Sequence, residues 1–176
     1  EPESGSAAFI NKFEQVIAQG ISLVQFRAKQ LSASEYRQFA TLMLDCCART
    51  GTRLMLNASP ALVRDIGAHG VHLTSDRLMA LSERPLTADY LVGASCHSLE
   101  EVEYAGSLGL DFVVVAPVKE TLTHPGAAPL GFTGLQSLTE SASLPVYALG
   151  GMQTGDLDDA FRHGAQGIAA IRGLWR

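Results

Sequence analysis

Short apolar runs alternate with stretches of helical periodicity along the whole chain. Apolar runs bounded by turn residues predict buried β-strands. We place strands at 21–27, 53–57, 70–73, 90–95, 111–116, 145–149 and 167–171. Apolar residues at helical spacing occur at Phe9, Phe13, Val16 and Ile17, and again at Tyr36, Phe39, Ala40, Met43, Leu44 and Cys47. The pattern predicts repeated β-α units.

Repeated β-α units with strands this apolar predict a parallel sheet covered by helices. A (β/α)₈ TIM barrel has eight strands, whereas this chain opens on a helix and then shows seven. We therefore expect an α/β (β/α)₈ TIM barrel whose first strand lies upstream of Glu1. Residues 1–176 would form one domain, the carboxyl-terminal part of a longer chain. The alternative is an open doubly wound sheet, although no glycine-rich dinucleotide fingerprint supports it.

Helix ends are indicated at two places. Ser98 and Glu101 have the spacing of a capping box, in which each side chain accepts from a backbone N–H at the helix start. Asp156 is expected to cap a later helix that ends at Gly164.

The stretch SLVQFRAKQ (22–30) combines a buried strand with a row of polar side chains. Alternate strand residues point to the same face, so Gln25, Arg27 and Lys29 share one face. In barrels the chemistry lies at the carboxyl ends of the strands. We therefore expect these side chains at the mouth of the barrel; an edge strand with one solvated face is the alternative.

Other polar residues follow the predicted strands. Asn57 ends one strand, Asp76 follows another, and Ser95 and His97 share a face at the end of a third. Each is a candidate ligand contact at the same mouth; alternatively, Asn57 is a turn residue, Asp76 a helix cap and His97 a surface residue. The remaining histidines of the predicted elements are expected in structural places, His72 in the core and His69 and His163 at the surface or at helix ends.

The segment 116–131 is a long connection between a strand and a helix. Long loops in compact domains are usually functional, with an adventitious insertion as the alternative. Thr121 and Thr123 offer hydroxyl groups, and His124 offers an imidazole that titrates near neutral pH.

The last two predicted strands are followed by glycine-containing turns. Gly150 and Gly151 follow one strand, and Arg172 and Gly173 open a short terminal helix after the other. Barrel phosphate sites are commonly built from these two loops and a helix amino end. The arrangement predicts an anion site to which Arg172 adds a full charge.

Composition excludes several classes of partner. The formal net charge is −5 and no basic block is present, which argues against a nucleic-acid surface. No apolar run approaches the ~20 residues of a membrane span, and no signal peptide is visible. The three cysteines argue against a disulfide framework. We expect a cytoplasmic protein.

Several ordered motifs together resemble the thiamine-phosphate synthase and thiazole tautomerase (TenI) superfamily. They are VQFRAK, LMLN, GAHGVHL, GASCHSLEE, LGLDFVVVAPVKETLTHP, YALGGM and GAQGIAAI, and they extend over essentially the whole chain. The resemblance implies a (β/α)₈ barrel that joins a hydroxymethylpyrimidine diphosphate to a thiazole phosphate.

The resemblance also implies roles for individual residues. The pyrimidine diphosphate would be held by Gln25, Arg27, Lys29, Asn57 and Ser95. The thiazole phosphate would be held by Thr121, Thr123, Gly151, Ile171 and Arg172, and His124 and Gly150 are further candidates for substrate binding. Arg27, Lys29 and His124 would be the catalytic groups, and Asp76 would bind Mg²⁺. A cationic row that holds a leaving diphosphate would account for the polar face of the first strand.

Two positions depart from the family pattern. Ala58 follows Asn57, where the family usually carries a second carboxylate for Mg²⁺. His124 stands where a synthase usually has lysine. These departures keep two further functions open, a non-catalytic sensor of thiamine precursors and a metal-independent thiazole tautomerase. Tautomerases use a histidine where this chain has Pro117, so His124 would have to serve instead.

The loop THPGAAPLG and the ending GIAAIRGLW are most similar to a subgroup fused to a Nudix (MutT-like) hydrolase. A fused Nudix domain, whose diphosphatase chemistry would lie outside these residues, is therefore a further expectation.

Overall fold

The structure is a computed structural model that describes residues 6–121, 126 and 128–175. Its α-helices are α1 (Ser6–Ile17), α2 (Ala33–Thr50), α3 (Pro60–Ile66), α4 (Ser75–Met79), α5 (Leu99–Ser107), α6 (Gly131–Ser141) and α7 (Leu157–Arg162). Its strands are β1 (Leu23–Phe26), β2 (Arg53–Leu56), β3 (Gly70–Leu73), β4 (Leu91–Cys96), β5 (Phe112–Val115), β6 (Val146–Ala148) and β7 (Gly167–Ile168). A single turn of 3₁₀ helix, Thr154–Asp156, precedes α7. Every predicted strand is thus present at its expected place.

The strands follow one another in the sheet in chain order, from β1 to β7. The register pairs run parallel, as in Leu23 opposite Arg53 and Val113 opposite Val146. A doubly wound sheet reverses its strand order part of the way across, so that alternative is wrong. Chain-order parallel pairing with intervening helices is the arrangement of the (β/α) barrel class, which confirms the predicted fold class. A strand upstream of Glu1 stays a prediction.

The carboxyl-terminal segment differs from the expectation. The predicted strand 167–171 is limited to Gly167–Ile168. Residues 171–175 form one hydrogen-bonded turn, closed by the N–H of Trp175 on the carbonyl of Ile171 at 2.9 Å, instead of the expected terminal helix. One closed turn cannot develop the cooperative bonding or the dipole of a longer helix.

The chain is divided into two compact units, the first comprising Glu1–His72 and Ala88–Leu91. Its fully buried apolar side chains come from both helices and strands and include Phe13, Ala40, Cys47, Leu54, Leu56, Val63 and Val71. Helix α2 begins at a capping box made by Ser32 and Glu35 and ends at Gly51, whose φ of 71° suits glycine. The ring of Tyr36 stacks on Phe26 with centroids 4.6 Å apart, which ties α2 to the end of β1.

His69 has a structural role that its sequence position did not reveal. Its Nδ1 accepts a hydrogen bond from the N–H of Leu54 at 3.0 Å. Its backbone accepts from Leu91 and donates to Leu54, both at 2.9 Å. His69 lies just after the end of α3, and its imidazole also joins the backbone network beside β2, a role that the expectation of a surface or helix-end histidine did not include.

The second unit comprises Leu73–Thr87 and Val92–Arg176. Its fully buried apolar residues include Leu78, Val92, Ala94, Val102, Ala105, Val113, Val115, Leu135 and Ala148. Gly93 is required on β4 because a Cβ there would lie 2.5 Å from the Phe112 ring. Asp111 accepts from Arg84 at 2.7 Å and from the N–H of Val92 at 2.6 Å, so one carboxylate joins a loop to the start of β4.

The predicted helix caps are confirmed in part. Ser98 caps α5 and accepts from the N–H of Glu101. The Glu101 carboxylate accepts from the N–H of His97, one residue before Ser98, so its bond differs from the reciprocal bond of the predicted capping box. Asp156 stands before α7 but makes no capping bond to it. Its carboxylate instead accepts from the N–H of Gln153 and from Lys119, because the preceding 3₁₀ turn directs it there.

The three cysteines, Cys46, Cys47 and Cys96, are buried and free, as expected for a chain without a disulfide framework. In the part of the chain that the structure describes, no helix combines the length and apolarity needed to cross a membrane.

Candidate functional site

The first candidate group lies at the carboxyl end of β1. Gln25 belongs to the strand, and Arg27 and Lys29 follow it directly. All three are exposed, whereas Phe26 and Ala28 between them are buried. The alternation predicted from the sequence is therefore confirmed, and it continues past the last residue of the strand.

The Phe26 carbonyl fixes the backbone from which Arg27 extends. It accepts from the phenol of Tyr36 at 2.9 Å and from the N–H of Asn57 at 2.9 Å. The same asparagine donates from Nδ2 to the carbonyl of His72 at 3.1 Å. Asn57 thus fastens the ends of β1 and β3 to its own position after β2. Its amide nitrogen is used by the fold, which leaves Oδ1 as the atom suited to a ligand contact.

His72 is the core histidine that the sequence predicted, with 2% of its surface exposed. Burial, and to a smaller extent the neighbouring Arg27 guanidinium, lowers the pKa of His72 to about 4. The imidazole is consequently neutral at neutral pH. It adds no charge to the cationic group formed by Arg27 and Lys29.

In the second unit, Asp76 lies exposed in the first turn of α4. It does not cap that helix, because Thr74 is the capping residue and accepts from the N–H of Arg77 at 3.4 Å. Within residues 6–121, 126 and 128–175, no group of three or more His, Cys, Asp or Glu side chains is placed to hold a metal ion. Asp76 would therefore have to bind a metal together with oxygens of a substrate.

Glu101 connects three loops at the carboxyl ends of β3, β4 and β5. Its Oε1 accepts from the hydroxyl of Ser75 at 2.6 Å, next to Asp76, and its Oε2 accepts from the N–H of His97. His97 in turn bonds through Nδ1 to the carbonyl of Ala116 at 2.7 Å, and because a carbonyl only accepts, Nδ1 carries the proton. His97 is thus a loop-fastening residue. Sequence reasoning gave Glu101 a capping role and missed the longer network.

Ser95 lies on β4, partly exposed and one residue before its end, as expected from the sequence. Thr123 and His124 lie outside the described residues, so their predicted roles stay predictions. The base of the long connection 116–131 is closed by the N–H of Leu130 on the carbonyl of Pro117 and the N–H of Gly131 on that of Val118, both at 2.9 Å.

A cavity of about 340 Å³ opens in the second unit beside β6 and β7. It is lined by six residues that the sequence analysis placed at the thiazole phosphate or at the anion site, namely Thr121, Gly150, Gly151, Ile171, Arg172 and Gly173. The remaining lining residues were not predicted: Glu120, Leu149, Met152, Gln153, Ala169 and Ala170. Their position in the loops after β5, β6 and β7 was the signal in the sequence that could have indicated them.

The cavity wall needs both glycines of the Gly150–Gly151 turn. Their φ angles are 97° and 65°, in the left-handed region that favours glycine. A Cβ on Gly150 would lie 2.7 Å from the Cα of Pro117, and one on Gly151 would lie 2.5 Å from the carbonyl oxygen of Glu120. Backbone therefore packs directly on backbone at both glycines, and neither position has room for a side chain.

Comparison with known proteins agrees with this picture. The family profile described as Thiamine monophosphate synthase matches residues 1–174. A putative thiamine-phosphate synthase 2 of Aquifex aeolicus is 31% identical over 163 residues, covering 93% of this chain and 88% of the relative. A thiamine-phosphate synthase of Thermus thermophilus is 34% identical over 168 residues, covering 95% and 81%.

Among solved structures, a thiamine phosphate pyrophosphorylase from Pyrococcus furiosus matches with a TM-score of 0.76 at 21% identity. The match covers 92% of this chain and 78% of that one, and it supports the fold. The expected fusion to a Nudix hydrolase finds no support in these relatives and stays a prediction.

Proposed function

Because this chain belongs to the thiamine monophosphate synthase family, we propose that it is a transferase that makes thiamine phosphate. It would join hydroxymethylpyrimidine diphosphate to a thiazole phosphate and release diphosphate. The observation that carries the proposal is the cavity beside β6 and β7, which is lined by Thr121, Gly151, Ile171 and Arg172, the four described residues expected at the thiazole phosphate.

The cavity has the chemistry of a phosphate site. Gly150 and Gly151 bring backbone without side chains to its wall, Thr121 brings a hydroxyl, and Arg172 brings a full positive charge. Its volume of about 340 Å³ lies within the range of small-molecule sites. The thiazole phosphate is assigned to it.

The pyrimidine diphosphate is assigned to Gln25, Arg27, Lys29, Asn57 and Ser95. When the bond between the pyrimidine methylene carbon and the diphosphate oxygen breaks, the electron pair leaves with the diphosphate. The thiazole nitrogen then forms a bond to that carbon. The exposed cations Arg27 and Lys29 stabilise the charge that develops on the leaving group.

Asp76 fits a Mg²⁺ ion that is held mainly by substrate oxygens. Mg²⁺ in phosphate-transfer sites is commonly bound through one or two carboxylates together with substrate phosphates. Asp76 is exposed at the first turn of α4 and supplies one such carboxylate, while Ala58 supplies none. When bound, the ion would neutralise charge on the departing diphosphate.

The test is formation of thiamine phosphate from the two substrates, with and without Mg²⁺. Substitution Arg27→Met should lower kcat by about 10²-fold, because a charge that stabilises the leaving group is lost. Substitution Arg172→Met should raise KM for the thiazole phosphate by about tenfold. The matched control is Arg37→Met, an exposed arginine paired with Asp65 on the surface of the first unit. A wild-type protein that binds neither substrate and forms no product would refute the proposal.

A second candidate function is a non-catalytic sensor that binds the thiazole phosphate without turnover. Ala58, at the position of the family's second carboxylate, favours it. The sensor would bind thiazole phosphate in calorimetry yet form no product, and Ala58→Asp would restore Mg²⁺-dependent turnover if the missing carboxylate is the cause. A thiazole tautomerase is the third candidate; it depends on His124 and would lose its activity in His124→Ala.

The three buried, reduced cysteines favour a cytoplasmic location.

A further inference from the structure

An ion pair joins the two loops that border the cavity. The Nζ of Lys119, in the loop after β5, lies 2.9 Å from Oδ1 of Asp156, in the 3₁₀ turn after β6. The other carboxylate oxygen of Asp156 accepts from the N–H of Gln153 at 2.9 Å. The aspartate side chain is 16% exposed and the lysine side chain 42% exposed. The pair thus has one well-buried member that also fastens the backbone of its own loop.

The Gly150–Gly151 turn lies between Lys119 and Asp156 in the sequence. Lys119 donates its backbone N–H to the carbonyl of Gly150 at 3.0 Å, and Val118 donates to the carbonyl of Leu149 at 2.8 Å. A Cβ on Gly151 would be 2.8 Å from the Cβ of Lys119, so the lysine also packs against the turn. Lys119 therefore contacts the turn through its backbone and its side-chain stem, while its ammonium is held by Asp156 beyond it.

We propose that the Lys119–Asp156 ion pair is a positioning element that holds the Gly150–Gly151 turn in the conformation that receives an anion. Glycines have more backbone freedom than other residues, so a turn made of two of them is costly to order. A pair that orders the turn in the free protein removes this cost from ligand binding. That the anion is a thiazole phosphate rests on the proposed function.

The pair also determines which charges an incoming phosphate meets. The hydrogen bond from Lys119 lowers the pKa of Asp156, so the carboxylate stays ionised and the two charges compensate each other. Arg172, which lines the cavity, then supplies positive charge to the ligand there. Without Lys119, the Asp156 carboxylate would repel a phosphate from the edge of the cavity.

The structural part of the proposal is tested on the ligand-free protein by amide hydrogen exchange. The reporters are the N–H groups of Val118 and Lys119, which bond to the carbonyls of Leu149 and Gly150 and not to the altered side chains. Both Lys119→Met and Asp156→Asn should speed exchange at these amides by about tenfold, whereas Lys119→Arg should stay near the wild type. The matched control is Arg162→Met, which removes the Arg162–Asp159 pair on α7 of the same unit. Exchange that is unchanged in both pair variants would overturn the proposal.

Calorimetry with the thiazole phosphate separates positioning from direct contact. If the pair positions the turn, Lys119→Met and Asp156→Asn each weaken binding by about tenfold, and the exchanged pair Lys119→Asp with Asp156→Lys recovers part of the loss. If Lys119 were itself a phosphate ligand, Asp156→Asn would release it and tighten binding, which would overturn the proposal. If the wild type does not bind thiazole phosphate but both pair variants still speed amide hydrogen exchange, the proposed function fails and the positioning role stands.

Discussion

The buried imidazole of His72 makes a sharp prediction about stability and pH. A histidine in an unfolded chain has a pKa near 6.5, whereas burial beside Arg27 lowers the pKa of His72 to about 4 in the folded protein. Between these two values the unfolded chain takes up a proton on His72 and the folded chain does not. The contribution of His72 to the stability of the folded protein is therefore fully present above about pH 6.5 and is lost as the pH falls towards 4.

The size of the effect follows from the two pKa values. Linkage over this interval gives a loss of about 2 kcal/mol in the free energy of unfolding between pH 7 and pH 5. This range lies above the ordinary pKa values of aspartate and glutamate, and comparison with a variant that lacks His72 separates its contribution from that of the other four histidines. The loss is a substantial fraction of the stability of a typical domain.

The assay is urea unfolding at pH 7 and pH 5 for the wild type and for His72→Gln. Glutamine does not titrate, so the variant should lose about 2 kcal/mol less than the wild type over this interval, whatever its stability at pH 7. The matched control is His163→Gln, at the carboxyl end of α7, where the histidine is only partly buried. Equal losses in the wild type and in His72→Gln would refute the reasoning, as would an imidazole NMR titration of His72 centred above pH 6.

Three further predictions concern other parts of the molecule. Gly151→Ala should weaken thiazole phosphate binding by at least about tenfold, because a Cβ would lie 2.5 Å from the Glu120 carbonyl oxygen; calorimetry that shows unchanged affinity would contradict this. Asp111→Ala should cost about 2 kcal/mol in urea unfolding, because the N–H of Val92 and the Arg84 guanidinium lose their acceptor. Asp111→Asn, which keeps an acceptor, should cost about half as much. Equal losses of stability in the two variants would show that the hydrogen bond from the N–H of Val92 is not the main contribution. Burial raises the pKa of the Cys96 thiol to about 12, so iodoacetamide at pH 8 should leave it unmodified by mass spectrometry until urea unfolds the chain; rapid native labelling would show that the site opens.

The sequence was sufficient for the order of elements and for much of the cavity. Apolar runs and helical spacing locate all seven strands, because burial imposes these periodicities directly on the chain. Thr121, Gly150, Gly151 and Arg172 could be predicted together because parallel topology brings successive strand ends to the same edge. The parallel topology therefore indicates which residues, distant in sequence, lie near each other.

Side-chain partners across loops could not be predicted in this way. Lys119 and Asp156 are 37 residues apart, and periodicity contains no information about which charges meet at such separations. The same holds for the bond of Glu101 to Ser75, 26 residues away. Asp156 was assigned to the helix that follows it, because the sequence does not show that a 3₁₀ turn redirects the carboxylate.

Chain-order pairing of the strands bears on how the protein is made. Register partners are only 15 residues apart at Met55 and Gly70 and 33 apart at Val113 and Val146, so each new pairing closes a short loop. The entropic cost of closing a loop grows slowly with its length, and each β-α unit closes one such loop. A chain emerging from the ribosome can therefore add each strand to an edge that already exists, without waiting for a distant segment to be synthesised.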